Sequence, residues 1–269
     1  MRQFKAEYYK LKYSQAKKWI AVFMVFLFFI PFVVGNDTLF MTFGDYKNID
    51  SIGWICYIND FSNVKFEEIS RFALSINFFT WIGLIVYVTT MISKEYQLGT
   101  LRACVVCGIS KTKLLIDKLF VLNIYFFILY FMVEIALAWG LGWKYKFIYT
   151  GEEFIMFLGV VLLNFIVMIG MEMVAVIFTI TVKNSGIVIA VSCVYFFAGA
   201  ITYPMVYENF ENRSIVVRIF CLLNPTTYMY NICGYRISAN LIIGSLSYGI
   251  GMCLIGMILM HFILEKQEL

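Results

Sequence analysis

The run FIMFLGVVLLNFIVMIGMEMVAVIFTI, Phe154 to Ile180, carries one carboxylate and one carboxamide in 27 residues. As a helix it would be about 40 Å long, against roughly 30 Å for the hydrocarbon core of a bilayer, so it must tilt or project. Five further apolar runs accompany it: Trp19–Val34, Phe72–Ile92, Leu119–Trp139, Ile187–Tyr203 and Leu241–Leu264. The whole chain is 62% hydrophobic, 19% aromatic and 14% charged, where soluble domains carry about 25% charged residues. A soluble fold of 269 residues could not hide that much apolar surface. These runs predict an all-α polytopic membrane protein, a single transmembrane domain over residues 1–269 with six spans. The first follows a basic start, as a signal peptide would. No small-x-small cleavage site ends it, so it is expected to stay as a span.

Lysine and arginine set the orientation. With the N-terminus inside, 13 basic residues fall on the cytoplasmic side and 8 outside. Both termini are therefore expected in the cytoplasm of a cell whose plasma membrane holds the chain. Residues 1–18 alternate lysine with aromatics. Phe4, Tyr8, Leu11 and Gln15 fall on one helical face, and Lys5, Lys10, Lys12, Lys17 and Lys18 suit anionic headgroups. This predicts an interfacial helix on the inner leaflet rather than a nucleic-acid contact. Between the last two spans, residues 204–240 hold an apolar patch, Ile215 to Leu223, too short to cross, and then Asn224-Pro225. A short apolar run beside a helix breaker predicts a re-entrant hairpin before the last helix, turning at Asn224 and Pro225. Gly35 to Arg71, acidic and rich in turn formers, predicts a small external excursion.

The chemistry-bearing inventory is thin. No Gly-x-x-x-x-Gly-Lys-Ser/Thr loop occurs, so no nucleotide site of that kind is expected in this chain. His261 is the single histidine, which removes the usual metal-hydrolase and Cys-His arrangements; no catalytic or metal-ligating residue is expected. Seven scattered cysteines make no disulfide framework, and Cys104-Val105-Val106-Cys107 is a lone pair without a companion. If a bridge formed, Cys56 with Cys221 or Cys233 would be the external choice. Glu67-Glu68-Ile69-Ser70-Arg71 is one residue short of the Glu-Glu-x-x-x-Arg pattern of membrane-embedded prenyl-protein proteases and lacks that pattern's histidines. Glu134 and Glu172 fall inside spans, where a carboxylate costs about 2.5–3.5 kcal/mol on insertion scales. They must face protein or water, or be protonated. With Asn164 they make either a polar lining of a substrate path or subunit seam, or a set of structural interhelical bonds.

Residues 93–118, SKEYQLGTLRACVVCGISKTKLLIDK, are the polar exception between the second and third spans. The chain here resembles the ABC-2 type permeases, the membrane subunits of type V ABC exporters. The resemblance rests on Glu95-Tyr96-Gln97-Leu98-Gly99-Thr100-Leu101-Arg102, on Gly108-Ile109-Ser110-Lys111 and Lys118, and on Asn224-Pro225 before the last span. The size and aromatic spans look most like the bacitracin and lantibiotic immunity branch. Lys111 stands where arginine is common, a mild departure.

That resemblance implies a coupling helix around Glu95, Leu98, Gly99, Thr100, Leu101 and Arg102, seated in a cleft of a separate ABC-type ATPase that carries the ATP and Mg2+. Leu98 and Leu101 would plug an apolar groove, and Glu95 and Arg102 would orient it by charge. It also implies a second permease copy or a related permease. No cofactor is expected in this chain itself, and membrane lipids are the other expected neighbours. Three rivals remain at this level: an immunity or sensory module that uses the same architecture to pull an antimicrobial peptide off the membrane, a membrane-embedded enzyme, for which no catalytic group is found, and an ion-coupled carrier using Glu134 and Glu172.

Overall fold

In a computed structural model describing residues 2–34, 37–43, 52–58, 64–206, 210, 212–234 and 238–267, the chain forms a helical bundle. Six spans among the described residues are long and apolar enough to cross a membrane. They are α2 (Gln15–Val34), the pair α3 (Phe66–Leu74) and α4 (Asn77–Gln97), α6 (Lys111–Lys144), α7 (Gly151–Val182), α8 (Ser185–Val206) and α11 (Ala239–Lys266). All six expected spans lie within them, so the chain is a multi-pass membrane protein. The helices outrun the apolar runs because polar caps extend them. Ser110 accepts from the Lys113 amide at the head of α6. Thr150 and Glu153 cap each other's amides at the head of α7, and Ser238 accepts from Leu241 at the head of α11.

Burial sorts the helices. Most of the span made by α3 and α4 is enclosed, while α2, α8 and α11 turn most of their apolar surface outward. An apolar helix left uncovered by protein needs lipid around it. The tightest seam runs between α7 and α11. A Cβ added to Gly249 would stand 2.5 Å from the Ile166 carbonyl oxygen, and one added to Gly170 would stand 3.1 Å from the Gly249 Cα. Small residues let the two backbones approach, the usual way helices associate in lipid.

The expectation of an all-α chain needs one correction. Part of the segment between the first two spans is a two-stranded antiparallel sheet, β1 (Asp37–Phe43) paired with β2 (Ile52–Tyr57), irregular between Phe40 and Thr42. The strand run Ile-Gly-Trp-Ile-Cys-Tyr is β-branched and aromatic, and its turn formers lie between two such runs. Trp54 of β2 is fully buried 4.5 Å from Tyr230 and 5.2 Å from Phe78. Trp81 stacks on Phe196 at 3.7 Å beside it. This aromatic cluster binds the sheet to α4, α8 and α10 (Pro225–Ile232).

Two short helices precede the last span, α9 (Ile215–Leu223) and α10, and they break at Asn224, whose ψ of 129° is extended. The break leaves few orphan groups. Asn224 Oδ1 accepts from the Thr226 amide at 3.0 Å and its Nδ2 donates to the Tyr195 carbonyl at 2.8 Å. Pro225 occupies the first helical position, where no amide is needed. Gly199 of α8 makes room, since a Cβ there would fall 2.2 Å from the Asn224 side chain.

Candidate functional site

The segment from Glu95 to Lys118 joins α4 to α6 by two tight turns and a short helix, α5 (Thr100–Val106). Gly99 ends α4 at φ +66°, with its amide bonded to the Tyr96 carbonyl and nothing within 4 Å of an added Cβ. Glycine is required here for its left-handed backbone, not for a close approach. Thr100 Oγ1 donates to the Glu95 carbonyl at 3.3 Å and closes the same turn. The two leucines part company. Leu98 is 66% exposed, whereas Leu101 is 2% exposed and turned into the bundle. Of this pair, only Leu98 is presented outward; Val106 and Cys107 at the far end of α5 are exposed as well. The Arg102 side chain lies outside the described residues.

Glu95 points inward. Its carboxylate lies 2.8 Å from the Lys118 ammonium and 3.2 Å from that of Lys10. Both lysines also bind Glu7, each at 2.6 Å. Two acids and two bases thus form a neutral cluster joining α1 (Arg2–Tyr13), α4 and α6, with the Glu7 and Lys118 side chains each 3% exposed. Burial by itself would raise the Glu7 carboxyl, but Lys118 and Lys10 outweigh it and hold the group below its ordinary value. For Lys10 burial acts downward, and Glu7 and Glu95 more than reverse it.

The phase of α1 therefore differs from the sequence expectation. Its inner face is Phe4, Glu7 and Leu11, with Phe4 against Phe120 at 5.9 Å, while Tyr8 and Gln15 are exposed. Lys10 faces the acids rather than the solvent side alone. Sequence reasoning missed Glu7 because an acid in a lysine-rich tail is expected in water. The available signal was Lys118, a base at the entry to an apolar run that needs a partner.

Further side chain–backbone bonds tie the helix ends around this segment. Lys111 Nζ donates to the Leu264 and Gln267 carbonyls at the C-terminus of α11, at 3.2 and 2.5 Å, where a cation also meets the negative end of the helix dipole. Gln267 Nε2 donates to the Ile180 carbonyl of α7, and Ser93 Oγ donates to the Lys183 carbonyl just after it.

The intramembrane residues form two separate groups. Asn123 Nδ2 donates to Glu172 Oε1 at 3.2 Å, joining α6 to α7. Elsewhere Glu134, Tyr130, Asn77 and Asn164 are buried together. Asn77 stands beside the Glu134 carboxyl, and Asn77 and Asn164 stand beside the Tyr130 hydroxyl. Neither Glu134 oxygen, and neither polar atom of Asn77 or Asn164, has a partner of good geometry among the described residues. Asn77 and Tyr130 were not expected in this group. Neither stands out in the sequence, since only the fold brings the head of α4 against α6 and α7.

Cys104, Cys107, Cys221 and Cys233 are free thiols, and the Cys56 side chain is outside the described residues. Glu67 and Glu68 sit on α3, where Glu68 caps the Lys65 amide. His261 lies 3.3 Å from Glu265, one turn along α11, and 3.2 Å from Thr112. Compared with known protein families and with curated proteins, the chain matches none.

Proposed function

We propose that this chain is the permease subunit of an ATP-driven exporter of the ABC-2 type, acting on an amphipathic peptide, antibiotic or lipid-like substrate. In this reading a separate ABC-type ATPase binds ATP and Mg2+, and this chain has no catalytic step of its own. The observation that carries it is the junction of α4 and α5: Leu98 stands outward at the Gly99 turn, Val106 is exposed at the far end of α5, and the last turn of α4 is held by the buried cluster of Glu95, Lys118, Glu7 and Lys10. A helix that must transmit force needs a free tip and a stiff root. Glu95 then acts by fixing the root, while Leu98 supplies the apolar contact to the ATPase. Both termini lie in the cytoplasm, α1 rests along the inner leaflet of the plasma membrane, α9 and α10 dip into the outer side as a hairpin, and a second permease completes the path.

The test is a mild-detergent purification of the tagged chain with mass spectrometry of what accompanies it. An ABC-type ATPase in comparable amount is the expected result; its absence across several detergents overturns the reading. A second reading, an ion-coupled carrier, is favoured by the unpartnered Glu134 carboxyl beside Asn77. It predicts substrate movement abolished by a protonophore and by Glu134→Gln, with no ATPase present.

A further inference from the structure

The most enclosed helix has one open line. Along α4 only Val86, Thr90, Lys94 and the terminal Gln97 are exposed; the first three stand at i, i+4 and i+8, and Ile82 continues their row half-buried. They form the floor of a groove of about 500 Å³ whose other wall is α2, with Trp19 and Phe23 on its rim. Polarity rises along this floor, from isoleucine and valine through threonine to lysine. Among the described residues the Lys94 ammonium makes no ion pair.

We infer that this groove binds one anionic membrane phospholipid, with an acyl chain along Ile82 and Val86 and its phosphate at Lys94. An acyl chain suits this apolar floor, and lipid is the solvent already present at this depth. Charge argues for the anionic class. An unpaired lysine at the end of an apolar groove, near the edge of a span, sits where a headgroup phosphate lies. Trp19, largely exposed at the rim, belongs at the same interface level. The inference needs only a membrane-spanning chain and is independent of the exporter reading.

The experiment is native mass spectrometry of the full chain in mild detergent, with phosphatidylglycerol or phosphatidylcholine of identical acyl chains added. A single phosphatidylglycerol should stay bound where phosphatidylcholine is lost. Lys94→Gln should lower its retention about fivefold. Thr90→Trp, which fills the groove, should lower it at least as much, and Val191→Trp on an exposed face of α8 should not. Lys94→Gln changes an exposed side chain and leaves folding intact, so it decides the case even if Thr90→Trp is unstable. Equal retention of both lipids, or unaltered phosphatidylglycerol binding in Lys94→Gln, overturns the inference. So does efficient disulfide cross-linking of a Val86→Cys chain to a second copy in membranes.

Discussion

Glu7 and Lys118 face each other at 2.6 Å with almost no solvent on either side chain, one on the first helix and one at the entry to α6. Removing one partner leaves the buried cluster with one charge in excess, a loss of up to about 3 kcal/mol, since Lys118 keeps Glu95 and Glu7 keeps Lys10. Glu7→Gln and Lys118→Met should therefore each lower the unfolding midpoint in detergent sharply. The double variant should lose less than the sum of the two, because the second change removes the excess charge. Additive losses would mean that the pair is not coupled.

The same cluster sets a pH window. The Glu7 carboxyl is held below its ordinary 4.5, so its contribution is complete above that pH and disappears as pH falls through the lowered value. Lys10 is held above its ordinary 10.5, so its contribution is complete below that pH and is lost as pH rises further. Protease resistance of α1 should be flat between these limits and fall on the acid side. Glu7→Gln should remove that acid-side fall.

Gly99→Val should be damaging through the backbone alone, since an added Cβ meets nothing. The left-handed turn costs a β-branched residue roughly 2 kcal/mol, and asparagine less. If the proposed ABC-type ATPase partner binds here, Gly99→Asn should keep that binding and the stimulated ATP turnover where Gly99→Val loses both, with normal membrane insertion in each. Equal behaviour of the two variants would remove the turn from the account of coupling.

Gly249→Leu should force α7 and α11 apart, at a cost of about 3 kcal/mol. Gly251→Leu, two residues along the same helix where an added Cβ meets nothing, should be neutral. Thermal unfolding of the two variants side by side distinguishes a packed seam from a general intolerance of leucine in α11.

The spans were legible because hydropathy is a local property, and a run such as Phe154 to Ile180 has no other stable home. Asn224-Pro225 was legible as a break for the same reason. What escaped the sequence was pairing. Phe4, Tyr8 and Leu11 share a helical face by spacing, yet only Phe4 and Leu11 turn toward the bundle, and Glu7 joins them, drawn in by a lysine on another helix. Leu98 and Leu101 look alike in sequence but lie on opposite sides of a turn set by the φ of Gly99. Asn77 joins Glu134 only once α4 is packed. The hairpin of β1 and β2 was masked by its acidic setting, although Trp54 and its neighbours carry strand propensity.

Apart from the Thr112–His261 contact, the bonds from Ser93, Lys111 and Gln267 that fasten the ends of α4, α6, α7 and α11 share one asymmetry. Every acceptor is a main-chain carbonyl, at Lys183, Ile180, Leu264 or Gln267, and every donor is a side chain, at Ser93, Lys111 or Gln267. Carbonyls are supplied by any residue, so the side chains at Ile180 and Leu264 can be exchanged without removing these acceptors, while Lys183 is further constrained by its left-handed φ of +58°. The heritable information in this fastening is concentrated in three donors, and a change at any of them is the kind of mutation a lineage would have to repair.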